Sequence, residues 1–215
     1  MSEILYEDND IIVVNKPEGM AAIPDRRRAG DSFLDVLSAE RGERLYVVHR
    51  LDRETSGVIV FARTAEAHRY LNRQFEGRTV RKVYLALTHG VVGEDRGVID
   101  KPLRQFGSGR VAVDAAAGKS SLTEFHVRER LRAHTLVEAR PRTGRRHQIR
   151  VHLYSLGHPI AGDPLYGDHA GQRAYPRLML HAHTLTVHLP SGRPQSVEAP
   201  IPDSFRSILL AAGHR

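Results

Sequence analysis

The sequence predicts an α+β protein built on a large, mixed but mainly antiparallel sheet, with helices and loops flanking it. Three observations carry that prediction. Short apolar stretches of strand type outnumber stretches with helical spacing, and most follow one another across polar turns as meanders. No linker, repeat or low-complexity tract divides the 215 residues, so a single domain over residues 1–215 is expected. A content of 40% hydrophobic and 27% charged residues suits a soluble chain that buries a core of its own.

The elements follow in order. Ile4 to Tyr6 and Ile11 to Asn15 read as strands around the turn Asp8-Asn9-Asp10, and Lys16-Pro17-Glu18-Gly19 ends the second. Residues 20–31 read as a mobile loop carrying the run Arg26-Arg27-Arg28. Phe33 to Arg41 reads as a helix capped by Ser32 and stopped by Gly42. Leu45 to Val48 and Val58 to Ala62 read as strands flanking the polar stretch His49 to Gly57. Thr64 caps a helix from Ala65 to Glu76, in which Ala67, Leu71 and Phe75 recur at helical spacing before Gly77. Val80 to Thr88 alternates as a strand, with Lys82, Tyr84 and Ala86 on one side and Val83, Leu85 and Leu87 on the other. Residues 91–121 are rich in glycine and turn residues and predict no definite element. Glu124 to Arg130 and His134 to Arg140 read as an antiparallel pair. Thr143 is placed to cap a helix from Gly144 to Leu156, Leu178 to Leu189 reads as a long strand, and Asp203 to Ala212 as a last short helix.

Composition narrows the chemistry. The chain has no cysteine, which excludes disulfides, thiolate catalysis and cysteine-ligated zinc. No secretory signal pattern opens it, and no apolar run approaches the roughly 20 residues of a membrane span, so a cytoplasmic protein without membrane contact is expected. Its formal net charge is +7, carried far more by arginine than by lysine. That balance favours a polyanionic partner held by bidentate phosphate contacts. Phosphate-loop, dinucleotide-fingerprint and Gly-x-Ser-x-Gly patterns are absent, which removes weight from nucleotide hydrolysis, dinucleotide redox chemistry and ester hydrolysis of those types.

Two constellations can carry chemistry. In His49-Arg50-Leu51-Asp52-Arg53-Glu54-Thr55-Ser56-Gly57, one carboxylate sits between two arginines in a polar loop joining apolar strands. Carboxylates ordinarily titrate near ~4, so a nucleophilic or general-base role at neutral pH asks for no unusual environment. The bland alternative is a loop aspartate neutralised by Arg50 and Arg53. In Arg142-Thr143-Gly144-Arg145-Arg146-His147-Gln148-Ile149-Arg150, a helix start rich in arginine is a favourable anion site, with Arg146 and Arg150 four apart on one helical face. Its bland alternative is a solvated basic helix face. Tyr84, taken alone, reads as a strand tyrosine with a wet hydroxyl. The 13 histidines include His181 and His183 at i, i+2, but no His-Glu-x-x-His occurs, and no metal site is expected.

Together these blocks resemble the RluA-type RNA pseudouridine synthases. The match runs through Ile11–Gly19, His49–Gly57, Lys82-Val83-Tyr84-Leu85-Ala86, Arg142–Gly167 and Leu178-Met179-Leu180-His181-Ala182, in the family's order. The chain is similar to the family's compact form without an S4-like RNA-binding extension, the form that modifies ribosomal and transfer RNA. Its loop Ile23-Pro24-Asp25-Arg26 departs from that form's Val-Pro-Gly-Arg. The resemblance implies the pseudouridine synthase fold, with a central catalytic cleft in the sheet. It implies that Asp52 is the catalytic aspartate, that Tyr84 packs against the target base and assists proton transfer, and that Arg150 pairs with the aspartate. Arg50 corresponds to an arginine associated with the flipped-out nucleotide. Arg53, Arg142, Arg145 and His147 are expected to contact RNA.

The expected activity is isomerisation of uridine to pseudouridine in a ribosomal or transfer RNA stem-loop, with base flipping, no cofactor and no metal, by a monomer that does not act on DNA. The alternative is a non-catalytic RNA-binding or RNA-chaperone protein on the same fold, which would bind in a salt-sensitive way without isomerisation. A glycoside or nucleoside hydrolase is disfavoured, because that chemistry ordinarily needs two carboxylates flanking the bond.

Overall fold

A computed structural model describes residues 1–24 and 31–213. In chain order its elements are β1 (Glu3–Glu7), β2 (Ile11–Lys16), α1 (Phe33–Arg41), β3 (Tyr46–Val47), β4 (Ser56–Ala62), α2 (Ala65–Glu76), β5 (Arg81–His89), β6 (Arg96–Asp100), β7 (Leu103–Gln105), β8 (Val111–Val113), β9 (Leu122–Arg130), β10 (His134–Pro141), α3 (Gln148–Tyr154), α4 (His169–Gln172), β11 (Leu180–His188), β12 (Pro194–Glu198) and α5 (Asp203–Gly213). The expected loop with Arg26, Arg27 and Arg28 falls on residues outside those described.

The chain divides into two compact units, Met1–Lys82 with Ala182–Pro200, and Val83–His181 with Ile201–Arg215. In the first, strands run in the order β1-β2-β4-β11, with β3 on β4 and β12 on β11. The β1–β2, β2–β4, β3–β4 and β11–β12 pairs are antiparallel. β2 and β4 are apolar without alternation because both of their faces are covered; Ile11, Ile12, Val14, Ile59, Val60 and Phe61 are fully buried. α1 has the bounds its caps predict. Ser32 and Asp35 form a reciprocal capping box, and Gly42 closes the helix in the left-handed region at φ +65°. α2 likewise starts at its Thr64 cap and lays Ala67 and Leu71 inward.

In the second unit the order is β5-β10-β9-β6, all antiparallel, with β7–β8 as a separate two-stranded hairpin. Its core joins Leu85, Leu87, Phe125, Val137, Ile149, Leu153, Met179 and Phe205. The expected alternation of β5 fails in its second half: Leu85, Ala86, Leu87 and Thr88 are all buried, because both faces are covered there.

Three other departures have local causes. Ser56 and Gly57 belong to β4 and not to the polar loop, since Gly57 pairs with Lys16 in the β2–β4 ladder. The helix expected from Gly144 begins only at Gln148. The Thr143 hydroxyl does not cap it: it donates to the Gln148 side-chain oxygen at 2.7 Å and accepts from the Leu122 amide at 3.1 Å. Arg146 therefore precedes the helix and is exposed while Arg150 is buried, so the two do not share a helical face, and no helix start lies at Thr143-Gly144 to receive an anion. The short strands β6, β7, β8 and β12 and the turn α4 lack any periodic run long enough to announce them.

Candidate active site

The Asp52 loop is held by side chains that reach into it from the surrounding strands. After Val47, β3 leaves β4, and the imidazole of His49 takes the vacated ladder position: its Nε2 accepts the Val60 amide at 3.1 Å. The ring stacks on Phe75, with centroids 4.7 Å apart. The residue as a whole is only partly buried, but its ring is enclosed between these partners. Burial first, and the nearby Lys82 charge second, push its pKa down to about 3, so His49 stays neutral and keeps its acceptor. On the other side of the loop, the fully buried Lys16 ammonium donates to the carbonyls of Pro17 (2.7 Å), Met20 (2.9 Å) and Arg53 (3.3 Å). The Gly19 amide also donates to the Arg53 carbonyl at 2.9 Å, and the Arg53 guanidinium donates back to the Gly19 carbonyl at 3.2 Å. A turn from the Thr55 amide to the Asp52 carbonyl, 3.1 Å, closes the loop. Asp52 is thus half-buried on a backbone fixed on both sides, Arg50 is exposed, and Arg53 acts on the loop itself through Gly19.

Gly57 completes this arrangement. Its φ is +115°, and a Cβ built there would lie 2.1 Å from the Ala182 carbonyl oxygen, so only glycine lets β4 pass β11 at this point. Lys82, half-buried at the start of β5, has its pKa lowered to about 8 by burial.

In the second unit, Tyr84 lies on β5 opposite Ala139 and is half-buried against the core. Arg150 is almost completely buried in α3. Its Nε and Nη2 donate to the two carboxylate oxygens of Asp163 at 2.8 and 2.7 Å. This bidentate fork fixes the plane of the guanidinium. Beneath it lies the ring of Tyr166, 5.3 Å from the guanidinium carbon to the centroid. The Tyr166 hydroxyl accepts the Val111 amide at 3.1 Å and bonds His147 Nδ1 at 2.9 Å; burial raises its pKa. His147, expected to face RNA, is instead buried, and it adopts the left-handed region at φ +53°. Arg142 is exposed and paired bidentately with Glu124 at 2.9 and 3.0 Å, and Arg145 donates to the Ser120 carbonyl at 3.3 Å. Among the described residues, no group of three or more histidine, aspartate or glutamate side chains is disposed to hold a metal ion.

Sequence reasoning assigned no role to Lys16, Asp163 or Tyr166. Lys16 had a signal, a lysine closing an apolar strand before Pro-x-Gly. Asp163 and Tyr166 sit in the constrained Gly162-Asp163-Pro164-Leu165-Tyr166-Gly167 turn, where a Cβ on Gly162 would lie 1.8 Å from the Arg177 carbonyl oxygen. The Asp163 carboxylate also accepts the Leu165 amide at 2.9 Å, so one side chain both shapes the turn and holds Arg150.

Comparison with known proteins gives the family. A sequence model described as RNA pseudouridylate synthase matches residues 10–155, more than half of the chain. The chain is 37% identical over 226 residues to the ribosomal large subunit pseudouridine synthase D of Pseudomonas aeruginosa, covering 96% of this chain and 70% of that protein. It is 37% identical to the RNA pseudouridine synthase YlyB of Bacillus subtilis (96% and 71% covered). It is 35% identical to an RNA pseudouridine synthase of Zymomonas mobilis (95% and 96% covered). Among solved structures, human RNA pseudouridylate synthase domain containing 4 superposes with a TM-score of 0.79 at 26% identity, covering 97% of this chain and 92% of that one. Human RNA pseudouridylate synthase domain containing 1 does so at 0.77 and 28%, covering 100% and 96%. With fold, sequence and motif blocks in agreement, the chain belongs to the RNA pseudouridylate synthase family and is an RluA-type pseudouridine synthase.

Proposed function

We propose that this enzyme isomerises specific uridines to pseudouridine in a stem-loop of ribosomal or transfer RNA, with Asp52 as its nucleophile. The observation that carries the proposal is the clamped Asp52 loop. His49, Lys16 and Gly19 fix the backbone on either side of one half-buried carboxylate, in a chain whose family performs this isomerisation. A protein that only bound RNA would have no use for a rigidly presented carboxylate, which repels phosphate.

In this reading the target uridine leaves its stack, and an unpaired loop makes that step less costly. The N1–C1′ bond breaks, the uracil turns, a C5–C1′ bond forms, the proton on C5 is lost, and N1 takes up a proton in its place. Atoms and charge balance without oxidant, hydrolysis or cofactor. Tyr84 holds the detached base and assists proton movement. Arg150, its guanidinium plane oriented by Asp163, is a fixed positive charge. Arg50 contacts the flipped nucleotide, while Arg53, Arg142, Arg145 and His147 serve RNA binding at the contacts or one step behind them. The enzyme acts as a monomer in the cytoplasm.

The test is direct. RNA transcribed without modifications is incubated with the protein, digested to nucleosides and separated by liquid chromatography with mass detection. The proposal expects a nucleoside of unchanged mass at the retention of pseudouridine. Free uracil would mark a hydrolase, and unaltered uridine with intact RNA binding would mark a binding protein; either result overturns it.

A further inference from the structure

Asp163 can hold Arg150 in one plane only if the turn that carries it is itself held. Its carboxylate shapes that turn from within, accepting the Leu165 and Tyr166 amides at 2.9 and 3.2 Å on the oxygen that also meets Arg150 Nη2. From the other side a single side chain closes it. Gln172, buried at the end of α4, reaches back across residues 160–167. Its Oε1 accepts the Gly162 amide at 2.6 Å and the Asp163 amide at 3.3 Å. Its Nε2 donates to the Ile160 carbonyl at 3.0 Å and to the Tyr166 carbonyl at 3.1 Å. Backbone amides only donate and carbonyls only accept, so these partners fix which way the carboxamide faces. Both ends of the turn close on one group.

The surroundings are fitted to that carboxamide. Gly167 has φ +105°, and a Cβ there would lie 2.6 Å from Gln172 Nε2, so glycine leaves the room the amide occupies. Asp168 caps α4 by accepting the Gly171 amide at 2.8 Å, which sets where residue 172 leaves the helical turn. His89, at the end of β5, places Nε2 3.1 Å from Gln172 Oε1 and is the donor there, since that oxygen can only accept. A carboxylate at this position would have no proton for the Ile160 and Tyr166 carbonyls, and an aliphatic chain would answer none of the turn's backbone groups. Gln172 lies beyond residues 10–155 matched by the family model, and beyond the motif block that ends at Gly167.

We propose that Gln172 is a positioning residue for the reaction: by bracing the 160–167 turn it holds Asp163, and through Asp163 the guanidinium of Arg150, in one orientation. This role rests on the reading of Arg150 as a residue of the uridine-isomerising site. It places control of the guanidinium one residue further out, on a side chain that acts only through the turn.

The experiment compares the full chain with Gln172→Met and Gln172→Glu. The first readout is exchange of the Arg150 Nε–H with water, followed by nitrogen-15 NMR and assigned by its disappearance in Arg150→Lys. In Gln172→Met it should exchange at least about tenfold faster than in wild type, while the backbone amides of β9 and β10 exchange as before, because the loosening is local. The second is turnover on unmodified RNA, where kcat should fall roughly 10- to 100-fold with KM unchanged. Gln172→Glu adds a pH profile. A protonated carboxyl offers the turn both an acceptor and a donor, as the carboxamide does, and an ionised one does not. Burial and two facing carbonyls raise such a carboxyl above its ordinary ~4.3, so the ratio of its turnover to that of wild type should rise at least about threefold from pH 8 to pH 5.5. The titratable groups around residue 172 are His89 from β5, with His134 and Tyr175 against its ring, Asp163 on the turn in its pair with Arg150, and Asp168 and His169 on α4. All are present in wild type, and His89 donates from Nε2 in either protonation state, so the ratio reports the new carboxyl. Wild-type exchange of the Arg150 Nε–H in Gln172→Met overturns the brace. A wild-type kcat, a change in KM alone, or a pH-independent ratio for Gln172→Glu overturns its bearing on the reaction. Should wild type form no pseudouridine, the isomerase reading fails while the Arg150 exchange still decides the brace.

Discussion

Asp163 shows how much a single residue can carry without belonging to a recognisable catalytic pattern. Its carboxylate neutralises a guanidinium buried to 1% exposure and fixes the plane in which Arg150 points. Asp163→Ala would leave that charge without its bidentate partner in the interior. The expected loss of stability is about 3–5 kcal/mol, read from urea unfolding midpoints; a wild-type midpoint would show that Asp163 does not hold the charge. Tyr84→Phe tests a different property. The phenol ring is kept and only the hydroxyl is lost, so the melting temperature should be unchanged while turnover on RNA falls at least about tenfold. Wild-type turnover would place Tyr84 among packing residues. Asp52 was legible in the sequence as a candidate because a carboxylate between two arginines in a loop between strands is itself a local pattern. Asp163, Tyr166 and Lys16 were not, because their meaning lies in partners brought to them by folding: Arg150 13 residues before Asp163, Val111 55 residues before Tyr166, and Arg53 37 residues after Lys16.

At the scale of elements, legibility followed local chemistry. α1 and α2 were readable to the residue because their caps, Ser32 with Gly42 and Thr64 with Gly77, are local signals. α3 was misread at its start because a Thr-Gly pair before a periodic run resembles a cap. The Gln148 amide instead collects the Thr143 hydroxyl, the Arg145 amide and the Leu122 carbonyl, and folds residues 143–147 into a turn. β7, β8 and β12 escaped because three to five residues hold too little periodicity. The crossing of β4 and β11 sets a prediction of its own. Gly57→Ala places a methyl 2.1 Å from the Ala182 carbonyl oxygen at φ +115°. Both the backbone strain and the overlap act against it, for a loss of about 3 kcal/mol or more. A wild-type urea midpoint in Gly57→Ala would show that the two strands do not approach so closely.

For the molecule as a whole, the α+β class and the mainly antiparallel pairing were legible because strand-type runs recur along the entire chain, and the net charge of +7 announced an anionic partner. Less visible was that three histidines, His152 buried and His49 and His134 partly buried, are disfavoured as cations. Burial holds His49 down at about 3 and lowers His134 and His152 as well. An unfolded histidine titrates near 6.5, so between that pH and the folded value the unfolded chain binds protons that the folded chain does not. Stability must therefore rise with pH across this window and fall on acidification, by at most about 1.4 kcal/mol per pH unit for each such group. Urea midpoints should drop between pH 7 and pH 5, above the range where carboxylates contribute, and His49→Gln should flatten the slope. A midpoint independent of pH over that range would contradict the neutral His49. The central claim is that Asp52 performs the chemistry while the rest of the chain presents it. Its most direct test is tritium release from RNA labelled at C5 of uridine, by wild type and by Asp52→Asn at matched RNA occupancy. The account predicts release by wild type, none above background by Asp52→Asn, and equal RNA affinity for the two. Release by Asp52→Asn at the wild-type rate would contradict it.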